Sequence, residues 1–329
     1  MAYNDLLKIR TWSLDGAKTE HMTEKVQAKT WSGSYKDCAR QLSFSVLPEA
    51  LAELGGMARL YKDADILFSG HIVSRSRDSL GKTVDCSALD NGLYLKRNST
   101  YMAVRKQTPE AVTAQLCGEF GVPCGELAAT GVPLSRNFLG VSLYQIIQTM
   151  YTLAAEQTGK QYQIRFCSNH LTVVEKAVGP ESIRLVPGSN LLSCRSAESI
   201  EKMVNRVAVY DGDKFKKVAQ YDSPENYVAL YGLMQKAIRA SEKENPETAA
   251  RDILEQNGIS TTITAQCLGN VKLITGNAVA VHEPVTGVDG LFWITADSHT
   301  VRRGVYQTKV TLDFRNLMDG QAAGSLPKE

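Results

Sequence analysis

Three short stretches of the sequence carry side chains of the types that do covalent or acid–base chemistry. Asp297-Ser298-His299 holds the three residue types of an acyl-transfer triad. Neighbouring residues on a strand point to opposite faces, however, so these three cannot hydrogen-bond in series, and a structural role is expected. His299 heads the connection Thr300-Val301-Arg302-Arg303-Gly304 and is expected to satisfy a loop carbonyl there. Cys167 and His170 straddle Ser168-Asn169. A thiolate pair would also need an orienting third group and a cleft, and the sequence identifies neither, so hairpin packing is the expected role. Glu119 and Glu126 flank a loop running through Gly121 and Gly125. A glycosidase-type dyad is defined by folded separation, which sequence spacing does not give. The chain has no G-x-G-x-x-G after a strand, no G-x-x-x-x-G-K-[ST], no H-E-x-x-H and no G-x-S-x-G. The expectation is therefore no catalytic, cofactor-binding or metal-binding residues, and no enzyme.

The seven cysteines, Cys38, Cys86, Cys117, Cys124, Cys167, Cys194 and Cys267, are odd in number and scattered. Free, buried thiols are expected rather than a disulfide framework. Cys117 and Cys124 are spaced too widely for a zinc knuckle. With 37 Lys+Arg against 35 Asp+Glu, the formal charge of +2 gives no footprint for nucleic acid or an anionic membrane. The short basic clusters Lys96-Arg97, Lys214 with Lys216-Lys217, and Arg302-Arg303 read as solvated faces. No window approaches the roughly 20 apolar residues of a spanning helix, and the first residues lack a secretory pattern. A soluble chain made in the cytosol is expected.

The elements that must position these residues are mostly strands. Leu42, Phe44 and Val46 alternate with polar residues, and the period continues through Ile66–Arg77 and Thr83–Ala88, with Ser79-Leu80-Gly81 as a turn. Thr108-Pro109-Glu110 then opens a helix carrying Val112, Leu116 and Phe120 up to Gly121. A second helix starts near Ser142, with Leu143, Ile146, Ile147, Met150 and Ala154 on one face, and stops before Gly159. Gln161–Cys167 and His170–Glu175 form a hairpin on Ser168-Asn169. Strands return at Val204–Tyr210 and Phe215–Tyr221 around Asp211-Gly212. A helix begins at Asn245-Pro246-Glu247 and ends at Gly258. Thr261–Leu268, Val271–Ile274, Ala278–His282, Leu291–Ala296 and Tyr306–Phe314 read as short strands.

The two β-rich parts share a weak repeat. Leu89-Asp90 follow Gly81 at +8 and +9, and Leu312-Asp313 follow Gly304 at +8 and +9. Phe68 precedes the first glycine and Phe292-Trp293 the second, which suggests a duplicated fold.

Several segments in this order resemble the baseplate hub proteins of contractile phage tails, of the type found in the PBSX group and kindred Gram-positive tail-like bacteriocins, related more distantly to the late control protein D hubs of other phages. They are Tyr35–Phe44, Leu67–Val73, Leu89-Asp90 with Tyr94–Asn98, Thr108–Glu110 with Phe120–Pro123, and Asn205–Val207. They close with Gly269-Asn270, Gly276, Phe292–Ile294, Asp297–His299 and Gly304–Tyr306. The resemblance implies a β-rich α+β fold: two tail-tube-like antiparallel β-barrel domains at 1–97 and 181–317, and a small α+β domain at 98–180 between them. The second barrel carries a helical insertion near 245–257, and 318–329 is expected to be a flexible tail. In this reading Asp297 and His299 fix a barrel turn.

The resemblance further implies a structural hub: a homotrimeric ring that adapts a sixfold tail tube to a threefold central spike, in a virion or phage-tail-like particle assembled in the host cytoplasm. The implied partners are the tail tube protein, the central spike protein, a LysM-containing hub adaptor and the tape-measure protein, without sequence-specific nucleic acid binding and without a membrane segment. The rival expectation is a tail-associated peptidoglycan hydrolase or cell-wall-binding module.

Overall fold

Period-two alternation sets the main layer. In the strand Gln41–Val46, Leu42, Phe44 and Val46 are buried while the residues between them face outward. The same alternation in Val84–Asp90 and Val305–Asp313 builds one 13-stranded sheet. The computed structural model describes residues 7–22, 24–176, 183–212, 214, 216–240 and 245–327. The expected boundary at 180/181, Phe215 and residues 328–329 lie outside them.

Within that sheet a five-strand pattern occurs twice. Val26–Ser34, Gln41–Val46, Val84–Asp90, Asp65–Arg77 and Met57–Lys62 lie side by side in that order, and Lys8–Trp12 and Thr19–His21 continue beyond them. Leu191–Ser199, Ser260–Leu268, Val305–Asp313, Val288–Arg302 and Ala278–Glu283 repeat the order, with Ile183–Leu185 alongside the last. Read along the chain, both sets run first, second, fifth, fourth, third. The two sets are not separate sheets: Val288–Arg302 pairs antiparallel with Val26–Ser34. Leu7, Ile9, Leu42, Leu60 and Ile72 form the core of the first set, and Val301 and Tyr306 of the second set join it.

Faces, not glycine spacing, carry the repeat. Asp90 is buried and Leu89 half-buried, whereas Leu312 is buried and Asp313 half-buried. The register read from Gly81 and Gly304 is thus out by one residue, which in a strand exchanges the two faces. The bulges give the matching positions, lying between Ile72 and Ser74 in one set and between Ile294 and Ala296 in the other.

Between the sets, residues 98–176 fold around an apolar cluster that Cys38 and Leu95 also join. Thr108 caps the helix Pro109–Phe120, which stops at left-handed Gly121. Ser142 and Gln145 form a capping box on Leu143–Thr158. Ile146, Ile147, Met150 and Tyr151 are fully buried there against Phe138, Leu171 and Val173. Tyr162–Cys167 and His170–Glu175 pair through Ser168 and Asn169, both at positive φ (46° and 76°), as a two-residue hairpin turn demands.

The sequence expectations need four corrections. Val271–Ile274 is a turn region rather than a strand, because it carries the chain between Ser260–Leu268 and Ala278–Glu283. The strand read at 291–296 runs from Val288 to Arg302. The insertion is more than a helix near 245–257: Arg195–Ile263 forms a compact unit with its own three-stranded sheet. In it Arg206–Asp211 is flanked by Lys216–Asp222 and Gln235–Arg239, and Val207 packs with Ala250 and Leu254 of the helix Pro246–Gln256.

The fourth concerns the segment after 317, expected to be free. Asp319 accepts a hydrogen bond from the Tyr144 hydroxyl at 2.6 Å. The Gln321 and Ala323 amides donate to Thr152 and Thr149 at 3.2 and 3.1 Å. Ser325 exchanges backbone bonds with Asn137 at 2.8 and 2.9 Å. Small polar composition suggests mobility, but the Gln321 and Ala323 amides meet hydroxyls of the helix Leu143–Thr158 and Ser325 pairs with a strand residue, so backbone groups of the segment are satisfied in place.

Candidate functional site

A gathering of buried polar side chains lies where the two strand sets join. Asp297 and His299 are two residues apart on Val288–Arg302, so they share its inner face. Both are buried, 3% and 1% exposed. His299 Nε2 stands 3.3 Å from Asp297 Oδ2, too oblique for a hydrogen bond. Its Nδ1 lies 2.8 Å from the Tyr306 hydroxyl and 3.2 Å from Thr308 Oγ1 on the neighbouring strand. A Tyr306 hydroxyl that donates to Nδ1 leaves the ring proton on Nε2, toward Asp297. The loop carbonyl expected as the partner of His299 is replaced by these side chains. Both residues sit mid-strand rather than at a barrel turn, and Ser298 is on the opposite face.

Arg40 completes the group from the first strand set. Its Nη1 donates to Asp297 Oδ1 at 3.0 Å and its Nη2 donates to Oδ2, a two-pronged pairing. The guanidinium lies over the Trp31 ring at 4.2 Å, and Trp31 stacks on His299 with centroids 4.8 Å apart. The Thr275 amide and hydroxyl donate to Asp297 Oδ1 at 2.7 and 2.6 Å. The backbone of Arg40 faces the other way. Its amide donates to Asp90 Oδ2 at 3.1 Å, and the Gly92 amide donates to Oδ1 at 2.9 Å.

The electrostatics mark a structural lock. Burial by itself raises the Asp297 carboxyl, but the charge of Arg40 and the contacts with His299 more than reverse this, holding it well below the usual carboxylate range. Burial pushes the Tyr306 hydroxyl far up, so it remains protonated and is no nucleophile. Asp90 is pushed up to about 7 by burial, against the opposing pull of the Gly92 and Arg40 amides and the Arg40 charge. Arg40 and Thr275 together place four donors on the Asp297 carboxylate, which holds it as an ion-paired anchor between the strand sets.

A cavity of about 230 Å³ opens beside this group, lined by Trp31, Arg40, Thr275, Arg165 and Cys167, with Asp37 its one carboxylate. Cys167 and His170 are register partners at the hairpin tip, but both are exposed and His170 Nδ1 sits against the Ser168 carbonyl at 3.2 Å. Glu119 and Glu126 are both exposed, on a helix end and a separate strand. Among the described residues no group of three or more His, Cys, Asp or Glu is placed to hold a metal ion, and no helix is long and apolar enough to cross a membrane.

Lys214, Lys216 and Lys217 are exposed, as are Arg302 and Arg303; Lys96 lies 3.6 Å from Asp37. Cys38, Cys86, Cys117 and Cys267 are buried as expected, but Cys124 and Cys167 are exposed and Cys194 half-exposed, a correction. Sequence reasoning missed Arg40 and Thr275. The signal present was Gly33: it faces Asp297 in the ladder, and a Cβ there would fall 2.4 Å from Arg40 Nη1.

A family model described as YQBQ-like matches residues 29–313. Two proteins of Bacillus subtilis strain 168, the uncharacterized protein YqbQ and the phage-like element PBSX protein XkdQ, are each 22% identical to the chain over 262 residues. That is 77% of this chain and 80% and 79% of theirs. Among solved structures, the 43 kDa tail protein of prophage MuSo2 from Shewanella oneidensis matches with TM-score 0.69 and 12% identity, covering 93% of this chain and 98% of that one. The E. coli c3393 protein is described as a component of the type VI secretion system with structural similarity to the T4 tail proteins gp27 and gp5. It matches with TM-score 0.54 and 12% identity over 92% and 77% of the two chains. These likenesses establish a shared mostly β, tail-protein fold.

Proposed function

The chain belongs to the YQBQ-like family, and from that membership we propose that it is a structural baseplate hub of a contractile tail, without enzymatic activity. Each five-strand set is read as a tube-like barrel domain, so a homotrimer presents six such domains to a sixfold tail tube and three equivalent subunits to a threefold central spike. A closed ring of duplicated domains joins unequal symmetries with near-equivalent contacts. The tape-measure protein and a LysM-containing hub adaptor are the further partners in this reading, and the place of action is the baseplate of a virion or phage-tail-like particle.

The observation that carries the proposal is the doubled strand order within one sheet. The Arg40–Asp297 lock, whose carboxylate is fully buried, supports it, because it holds the two sets of one chain together.

The experiment is mass in solution by light scattering, for the chain alone and mixed with its tail tube protein. A trimer in either condition is the expected result. A monomer in both overturns the hub.

A further inference from the structure

The doubled pattern leaves one junction used and its counterpart open. Inside the chain, Ala278–Glu283 lies beside Val288–Trp293 only, so the far half of Val288–Arg302 is free on that side to take Val26–Ser34. The equivalent strand Asp65–Arg77 is built the same way. Met57–Lys62 covers it as far as His71, and Ile72 bonds to Gly55 and Gly56. From Val73 to Arg77 every residue is exposed, and the ladder of the described residues places a strand on one side only, Val84–Asp90. At the other end of the sheet, Leu191–Ser199 is the counterpart of Val26–Ser34. It has Ser260–Leu268 as neighbour on one side and no strand of the described residues on the other.

We infer that Leu191–Ser199 of one subunit adds to the open edge of Asp65–Arg77 in a second copy of the chain, repeating between subunits the junction that Val26–Ser34 and Val288–Arg302 make within one. An open strand edge with a bulge that bends it as its counterpart is bent is a template for one specific partner strand. The two edges differ from each other, so the contact is head-to-tail and propagates until rotation closes it. Three subunits then alternate three internal junctions with three external ones. Ring closure rests on the hub reading above; the choice of edges rests on the strand order.

The internal junction also sets the register. Aligning the bulges puts Arg75 where Asp297 stands, and Asp297 faces Gly33. The Leu268 amide donates to the Asn190 carbonyl at 2.9 Å, which sets the ladder of Leu191–Ser199 and places the counterpart of Gly33 within residues 196–198.

The test uses the full chain with Cys124, Cys167 and Cys194 replaced by serine. One cysteine is placed at Ser74, Arg75 or Ser76 and one at Ser196, Ala197 or Glu198. The nine pairs and the six single variants are oxidised alone and with the tube protein, run on non-reducing gels, and weighed in solution. At least one pair is expected to give covalent dimers and trimers that no single variant gives. Native trimers without a cross-link in any pair overturn the edge assignment and leave the hub standing. Cross-linked dimers from single variants also overturn the assignment, since they report a self-complementary contact. A monomer throughout overturns both.

Discussion

Asp297 faces Gly33 across the strand junction, and the missing side chain at position 33 is the space through which Arg40 reaches the carboxylate. Arg40 and Asp297 are 257 residues apart in the chain. The lock therefore forms only when both strand sets are in place.

Breaking the lock on one side leaves a buried charge. Arg40→Ala is expected to lower stability by about 3–5 kcal/mol, because Asp297 keeps its ionised carboxyl in the core. Gly33→Ala, which drives a methyl group into Arg40, is expected to cost about 1–3 kcal/mol. The double variant Arg40→Met/Asp297→Leu should be far more stable than Arg40→Ala alone. Urea unfolding midpoints check all three; an Arg40→Ala midpoint equal to the parent would refute the lock.

The pH profile should carry the signature of Asp90. Its folded value is about 7, above the roughly 3.9 of an exposed carboxyl, so the folded state holds the proton between these limits. The Asp90 contribution to stability is then full below about pH 4 and is lost as pH rises to about 7, on the order of 4 kcal/mol in all. Asp90→Asn should flatten that descent. Thermal unfolding from pH 4 to 8 measures it, and an unchanged slope in the variant would count against the assignment.

The segment 317–325 should behave as a strap. Gly324 has φ +75°, and a Cβ there would lie 2.5 Å from the Asn137 carbonyl. Gly324→Val is expected to cost about 1–3 kcal/mol through strain at that position and to expose the segment to protease. Limited proteolysis followed by mass spectrometry checks this. Cleavage after Leu317 at the same rate in parent and variant would show the strap to be loose.

Cell-wall zymography of the purified chain should show no clearing, and Asp297→Asn or Cys167→Ala should change nothing in that assay. Clearing that disappears with one named carboxylate or thiol would instead establish a hydrolase.

Local features were legible in the sequence where one residue's backbone preference decides them. Thr108 and Pro109 set the start of a helix, Gly121 and Gly159 close two of them, and Ser168-Asn169 makes a hairpin because both residues accept positive φ. The alternation rule ends the strand Val288–Arg302 too early because Asp297 and His299 are polar residues facing inward, where the rule expects apolar ones. Pairing across 257 residues leaves no local mark, so Arg40 is not visible as a partner of Asp297; Thr275 is only 22 residues away but sits in a turn, where no strand period fixes its direction. The joining of the two strand sets into one sheet escaped for the same reason, while the one-residue offset between Leu89 and Leu312 shows how glycine spacing misplaces a register.

Leu191–Ser199 and Ser260–Leu268 are neighbours in the sheet, and the Ser260 hydroxyl reaches the Ser199 carbonyl at 3.0 Å. The chain thus departs and comes back at a single doorway. Everything threaded through it, residues 200–259, is a cassette whose length matters little to the frame, since doubling such an excursion adds only about 0.6 kcal/mol of closure entropy. Exchange of that cassette for a tight turn, or for a foreign module of similar girth, would leave the stitching of the frame as it is.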